Sequence, residues 1–86
     1  MAKVMEKERV SVEPNACAKC MKRFGNPGVL TVFHSTESDM GGYYPAHVRC
    51  SQCATDGPGR KKVNDAVIAW NKRNPEHSMK PSVYIS

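Results

Sequence analysis

The chain has 86 residues, room for one domain and no more. Hydrophobic residues make up 40% and aromatics 7%, too few for a large core, and chains this short ordinarily add disulfides, a metal or a partner. The formal net charge of +5 argues against an acidic DNA mimic, and no stretch approaches the roughly 18 apolar residues of a membrane span.

Residues 1–13 mix charges with a few Val and Met and lack turn or capping logic, which predicts a flexible N-terminal tail over 1–14. Met1 to Val12 carries no apolar run of the signal-peptide kind, so a reducing cytoplasm is the expected setting. Pro14-Asn15 breaks the chain just before Cys17-Ala18-Lys19-Cys20. Met21 through Gly28 then reads as turn chemistry, rich in Gly, Asn and Pro.

Val29-Leu30-Thr31-Val32-Phe33-His34 is rich in β-branched and aromatic residues and predicts a strand, ending in the polar run Ser35 to Asp39. Gly41-Gly42 turns the chain into Tyr43 to Cys50, where Pro45 confines the paired part to Ala46–Cys50. That strand delivers the second pair, Cys50-Ser51-Gln52-Cys53. Gly57-Pro58-Gly59 ends the unit, and a helix is expected over about 60–73. Val63, Ala66, Val67 and Trp70 recur at i, i+3, i+4, i+7 on its buried stripe, and Asn74-Pro75 stops it. Trp70 is the expected anchor against the hairpin. Ile68 lies off the stripe, and the tail at 74–86, ending Val83-Tyr84-Ile85, is expected to fold back onto it, the alternative being that both meet a partner.

The two pairs use every cysteine in the chain and have the same two-residue gap. Each can present two thiolates from one tight turn, and two such turns close a tetrahedron around one structural Zn2+ ligated by Cys17, Cys20, Cys50 and Cys53. Disulfides, a redox motif and an iron centre are the competing uses. His34, His47 and His77 are expected to stay outside the metal, since four thiolates already complete it. A structural zinc contributes roughly 10–16 kcal/mol of apparent folding free energy, more than so small a core supplies, so the metal-free chain is expected to be unfolded or molten. The predicted fold is a small α+β zinc ribbon, with a four-cysteine zinc site, an antiparallel β-hairpin followed by one C-terminal α-helix, and flexible termini. The domain spans 15–73.

No enzyme is expected. A closed thiolate site leaves no open metal position, no phosphate-binding glycine loop is present, and no cysteine remains as a nucleophile. The cations gather toward the two ends, six Lys/Arg against three acids over 1–27 and six against two over 60–86. Lys19, Lys22 and Arg23 crowd the first cysteine pair, while Arg60, Lys61 and Lys62 open the helix and Lys72 and Arg73 close it. These eight are the candidate surface for an anionic partner, either an acidic protein face or nucleic acid. Ordinary solubilising charge explains the same residues equally well.

The segment Cys17–Arg73 resembles the Lar/Ral-type restriction alleviation family, small zinc-ribbon proteins of phages and prophages. Val48-Arg49-Cys50-Ser51-Gln52-Cys53-Ala54-Thr55-Asp56-Gly57-Pro58 follows the family's V-x-C-x-x-C-x-A-x-G-P pattern, with Thr55 in place of alanine. Ala66-Val67-Ile68-Ala69-Trp70-Asn71-Lys72-Arg73 follows its A-I-x-A-W-N-x-R helix, with Ile68 where a polar residue is usual. Ala18, Lys19 and Met21 depart from the first knuckle's usual Pro-aromatic and glycine positions. The resemblance implies a phage-encoded, non-enzymatic adaptor in the host bacterial cytoplasm that binds and modulates a host protein, either a defence enzyme such as a type I restriction–modification enzyme subunit, whose methylation it would favour, or a nucleic-acid enzyme. A direct DNA- or RNA-binding regulator is the alternative.

Overall fold

A computed structural model describes residues 9–37 and 41–86. Its element order is α1 (Ala18–Phe24), β1 (Val29–Phe33), β2 (Thr36–Glu37), β3 (Tyr43–Tyr44), β4 (His47–Cys50), β5 (Thr55–Asp56), α2 (Val63–Arg73) and β6 (Ser82–Ile85). Four strands form one mixed sheet in the order β5-β4-β1-β6, and β2-β3 form a separate ribbon. The fold is α+β and carries the expected hairpin: β1 and β4 pair antiparallel, with Leu30 opposite Cys50 and Val32 opposite Val48. The last four residues of the expected Ser35–Asp39 loop run differently from expectation or lie outside the described residues, since Thr36–Glu37 pair with Tyr43–Tyr44 and 38–40 are not described.

Alternation along β1 and β4 gives the sheet two unlike faces. Leu30, Val32, Val48 and Cys50 point inward and are fully buried, and α2 covers them with Val63, Ala66, Val67 and Trp70. Trp70 is 1% exposed and its indole N–H donates to the Asn15 carbonyl at 2.9 Å, so the anchor role expected of it is the one it has. Removing so large a buried ring costs about 3–5 kcal/mol in comparable cores. Gly57 makes room for it: a Cβ there would lie 2.9 Å from Trp70 Cε3 and 3.1 Å from the Val48 carbonyl oxygen.

Several expectations are corrected. The run after Cys20 is helical as far as Phe24, so the described residues form two helices rather than the one expected. Ala, Lys, Met and Arg favour helix, and Gly25 ends α1 in the left-handed region at φ 70°, its N–H bonding the Met21 carbonyl. Seven residues are too few to be helical unaided; the Ala18 N–H is held by Asn74 Oδ1 at 2.9 Å. α2 begins at Val63, not at 60, because Arg60 is still paired in an extended bridge with Ala46.

The termini are not flexible throughout. Residues 1–8 of the expected N-terminal tail lie outside the described residues, but residues 9–15 run as a strap along α2. Asn64 Oδ1 accepts from the Ser11 N–H at 2.8 Å, and Asn71 accepts from the Asn15 N–H at 2.7 Å while its amide donates to the Glu13 carbonyl at 3.0 Å. Val10 and Val12 pack against the core. The tail at 74–86 does fold back, but as β6 in parallel register with β1, Leu30 beside Val83 and Val32 beside Ile85. Backbone pairing with a sheet edge prevails over a contact with Ile68, which stays 43% exposed. Among the described residues no helix is long and apolar enough to cross a membrane.

Candidate metal centre

The four cysteines come from four different backbone settings. Cys17 is the N-cap of α1 and Cys20 lies in its first turn, so one helical turn sets their separation. Cys50 ends β4 on its inward face, and Cys53 lies in the turn that leads to β5, closed by Ala54 at φ 56°. The Cys17 N–H donates to the Pro27 carbonyl at 3.0 Å and the Ser51 N–H to Val29 at 2.9 Å, which ties both segments to the start of β1. Cys17, Cys20 and Cys50 are fully buried and Cys53 is half-buried.

All four sulfurs lie within 4.8 Å of one another. Cys17 and Cys53 approach to 3.5 Å and Cys20 and Cys50 to 3.4 Å. A regular tetrahedron with metal–sulfur bonds of about 2.3 Å has sulfur–sulfur edges of about 3.8 Å, so every sulfur–sulfur separation lies within about an ångström of the value that holds one ion. All four are free thiols, and none of the described histidines joins them. His47 alternates to the other face of β4, stacked on Phe33 at 4.8 Å. An ion held by all four has no vacant place in a four-coordinate shell.

Electrostatics of the metal-free pocket point the same way. Burial pushes the Cys17 thiol above its ordinary value. Burial, reinforced by the neighbouring thiols, pushes Cys20 up further. Burial opposes ionisation of Cys53 as well, but the Thr55 hydroxyl at 3.1 Å and the adjacent thiols outweigh it and bring its value down to about 7. Four thiolates confined to this space repel one another strongly, and a divalent cation is the partner that allows them to ionise together.

Gly28 completes the pocket. It sits at φ 83°, and a Cβ there would meet Cys50 Sγ at 3.1 Å, Cys17 Cβ at 3.3 Å and Cys20 Sγ at 3.3 Å. Its role is not readable from a Gly-Asn-Pro-Gly run that also describes an ordinary turn. Thr55, an apparent departure in the second cysteine segment, supplies the hydroxyl beside Cys53. The hydrogen-bonding roles of Asn15, Asn64, Asn71 and Asn74 are likewise not readable from the sequence. Buried Asn74 accepts from the Ala18 N–H and donates to the Trp70 carbonyl at 2.9 Å, linking the end of α2 to the start of α1. Asparagine has no periodic signature that would have marked these positions.

The eight candidate cations are exposed but do not form one patch. The Asn74–Ala18 bond brings Lys72 and Arg73 to the metal end of the molecule, where Lys19, Lys22 and Arg23 project from α1. Lys22 and Arg23, like Lys72 and Arg73, also lie in the last turn of a helix, where cations favour the macrodipole. Arg60, Lys61 and Lys62 stand at the other end of α2, about 16 Å away along its axis. No family model, curated protein or solved structure matches the chain.

Proposed function

We propose that the chain is a non-enzymatic zinc-ribbon adaptor of the restriction alleviation type, folded around one structural Zn2+ on Cys17, Cys20, Cys50 and Cys53. Its metal-end cations, Lys19, Lys22, Arg23, Lys72 and Arg73, would dock on an acidic face of a host type I restriction–modification enzyme in the bacterial cytoplasm. The observation that carries this reading is the convergence of four thiols, three of them fully buried, at a single point. A four-thiolate site is the usual arrangement of structural zinc, and zinc suits sulfur donors in a tetrahedron. Such a metal fixes α1 against the hairpin and leaves function to the surface around it. A basic surface suits docking and is the wrong sign for imitating DNA.

The test is reconstitution with a purified type I enzyme, measuring cleavage and methylation of unmodified DNA as zinc-loaded protein is added. Methylation should rise relative to cleavage. Reversing the five metal-end charges should abolish the effect while one zinc per chain is retained. If excess wild-type protein changes neither activity, the reading fails. Direct nucleic-acid binding is a second reading, and a separate observation favours it: Arg60, Lys61 and Lys62 form an exposed basic run at the start of α2, clear of the metal end.

A further inference from the structure

The charge on α1 does not serve the helix that carries it. Lys19, Lys22 and Arg23 are three and four residues apart, so they are neighbours on one helix face, and like charges at that spacing destabilise it. Lys19 lies in the first turn, where a cation opposes the macrodipole, and no acidic residue is there to offset it. The fold supplies no carboxylate either. Among the described residues the ion pairs are those of Arg49 and His47 with Asp56. Lys19, Lys22, Arg23, Lys72 and Arg73 have no ion pair and no side-chain hydrogen bond there. Glu76, the acid that follows Arg73 most closely, is exposed and pairs with neither Lys72 nor Arg73.

Phe24 ends the same helix and is 49% exposed. The Arg23 guanidinium lies over its ring, 5.4 Å from the centroid, within the range of a cation–π contact. The backbone beneath is held at both ends. The Ala18 N–H bonds Asn74 Oδ1 at 2.9 Å, the Gly25 N–H bonds the Met21 carbonyl at 3.1 Å, and Cys17 and Cys20 belong to the thiol cluster. A ring displayed on a fixed backbone loses little freedom on binding. Unpaired cations around such a ring complement carboxylates around an apolar cleft, the usual surroundings of a binding hot spot.

We propose that Phe24 is the anchor of the metal-end surface, inserted into an apolar cleft of an acidic partner protein whose rim carboxylates meet Lys19, Lys22 and Arg23. This role rests on the adaptor reading and adds the residue that holds the partner once charge has brought it in. Nucleic acid is the poorer occupant. α1 offers a single ring, one face of it under Arg23, and no second ring follows along the helix for successive bases to stack on. Charge and ring act on different rates: rim cations steer association, while a buried apolar anchor slows dissociation. Half of a phenylalanine side chain is roughly 100 Å² of apolar surface, and its burial corresponds to roughly 30- to 100-fold in affinity.

The experiment immobilises a purified, DNA-free type I restriction–modification enzyme and follows binding of the zinc-loaded full chain by surface plasmon resonance over a series of salt concentrations. Wild type should bind, and faster at low salt. Phe24→Ala should raise koff by roughly 30- to 100-fold and leave kon within about threefold. Phe24→Leu should keep most of the affinity. Lys19→Ala with Lys22→Ala should instead lower kon and flatten its salt dependence. Tyr44→Ala, which removes a ring 67% exposed on β3, should change neither rate. Retained zinc and an unchanged circular dichroism spectrum establish that each variant is folded. If Phe24→Ala dissociates as slowly as wild type, or if its loss appears in kon, the anchor role is overturned and the adaptor reading survives. Both are overturned if wild type does not bind the enzyme, or if it binds free duplex DNA as tightly, the outcome expected of a nucleic-acid surface.

Discussion

Gly25 and Gly28 offer a matched pair of perturbations that isolates crowding of the metal pocket. Both have positive φ, at 70° and 83°, but a Cβ at Gly25 meets nothing within 4 Å while one at Gly28 meets two cysteine sulfurs and a cysteine Cβ at 3.1–3.3 Å. Alanine in the left-handed region costs about 1–2 kcal/mol at either position, and the gain from a stiffer unfolded chain is common to both. Gly28→Ala adds overpacking against thiols that cannot retreat without opening the tetrahedron, roughly 1–3 kcal/mol more. Metal binding and folding are one reaction in a small four-cysteine domain, so this difference appears in the metal affinity. Zinc competition against a chromophoric chelator at neutral pH should show Gly28→Ala weaker than Gly25→Ala by about 5- to 150-fold. Equal affinities for the two variants would refute the placement of Gly28 against the thiols.

Chelation of the metal should collapse the near-ultraviolet circular dichroism of Trp70, because the core around it is too small to persist alone; an unchanged spectrum would count against a metal-dependent fold. Asn74→Ala removes the acceptor of the Ala18 N–H and a donor to Trp70 and should lower the stability of the zinc form by about 1–3 kcal/mol, read from denaturant unfolding. The raised Cys17 and Cys20 thiols favour the folded arrangement over the unfolded chain, in the absence of metal, below the reference value of 9.0 and stop doing so as pH rises through their folded values. Cys53, depressed to about 7, acts in the opposite sense and loses its contribution as pH falls through that value. Metal requires thiolates, so Cys17 and Cys20 each release a proton on binding, and affinity should fall by about tenfold per proton for each pH unit of acidification. Calorimetry in buffers of different ionisation heat measures the protons released; identical heats would refute it. Deleting residues 81–86 removes β6 and bares the β1 edge, and should leave zinc bound while promoting association, which light scattering would detect.

The parts of this fold legible in the sequence are those with a short local period. The paired Cys-x-x-Cys spacing, the β-branched run of β1 and the i, i+3, i+4, i+7 stripe of α2 each declare themselves within a dozen residues. α1 was masked by the Gly25–Gly28 run that follows it, and its stability comes from Asn74, 56 residues away. β6 is short, has no buried residue and follows Pro81, so nothing in its own composition distinguishes it from a tail; only the open edge of β1 does. The strap depends likewise on Asn64 and Asn71, more than fifty residues distant. These bonds also change the meaning of the Trp70-Asn71 motif. The Trp70 N–H and both ends of the Asn71 amide are occupied by Asn15 and Glu13, so the most distinctive residues of α2 hold its own N-terminal strap. A partner that meets this helix must do so through Asp65, Ile68, Lys72 and Arg73, which are exposed, and discrimination between partners rests on those positions rather than on the buried and strap-bonded part of the motif that makes the helix recognisable.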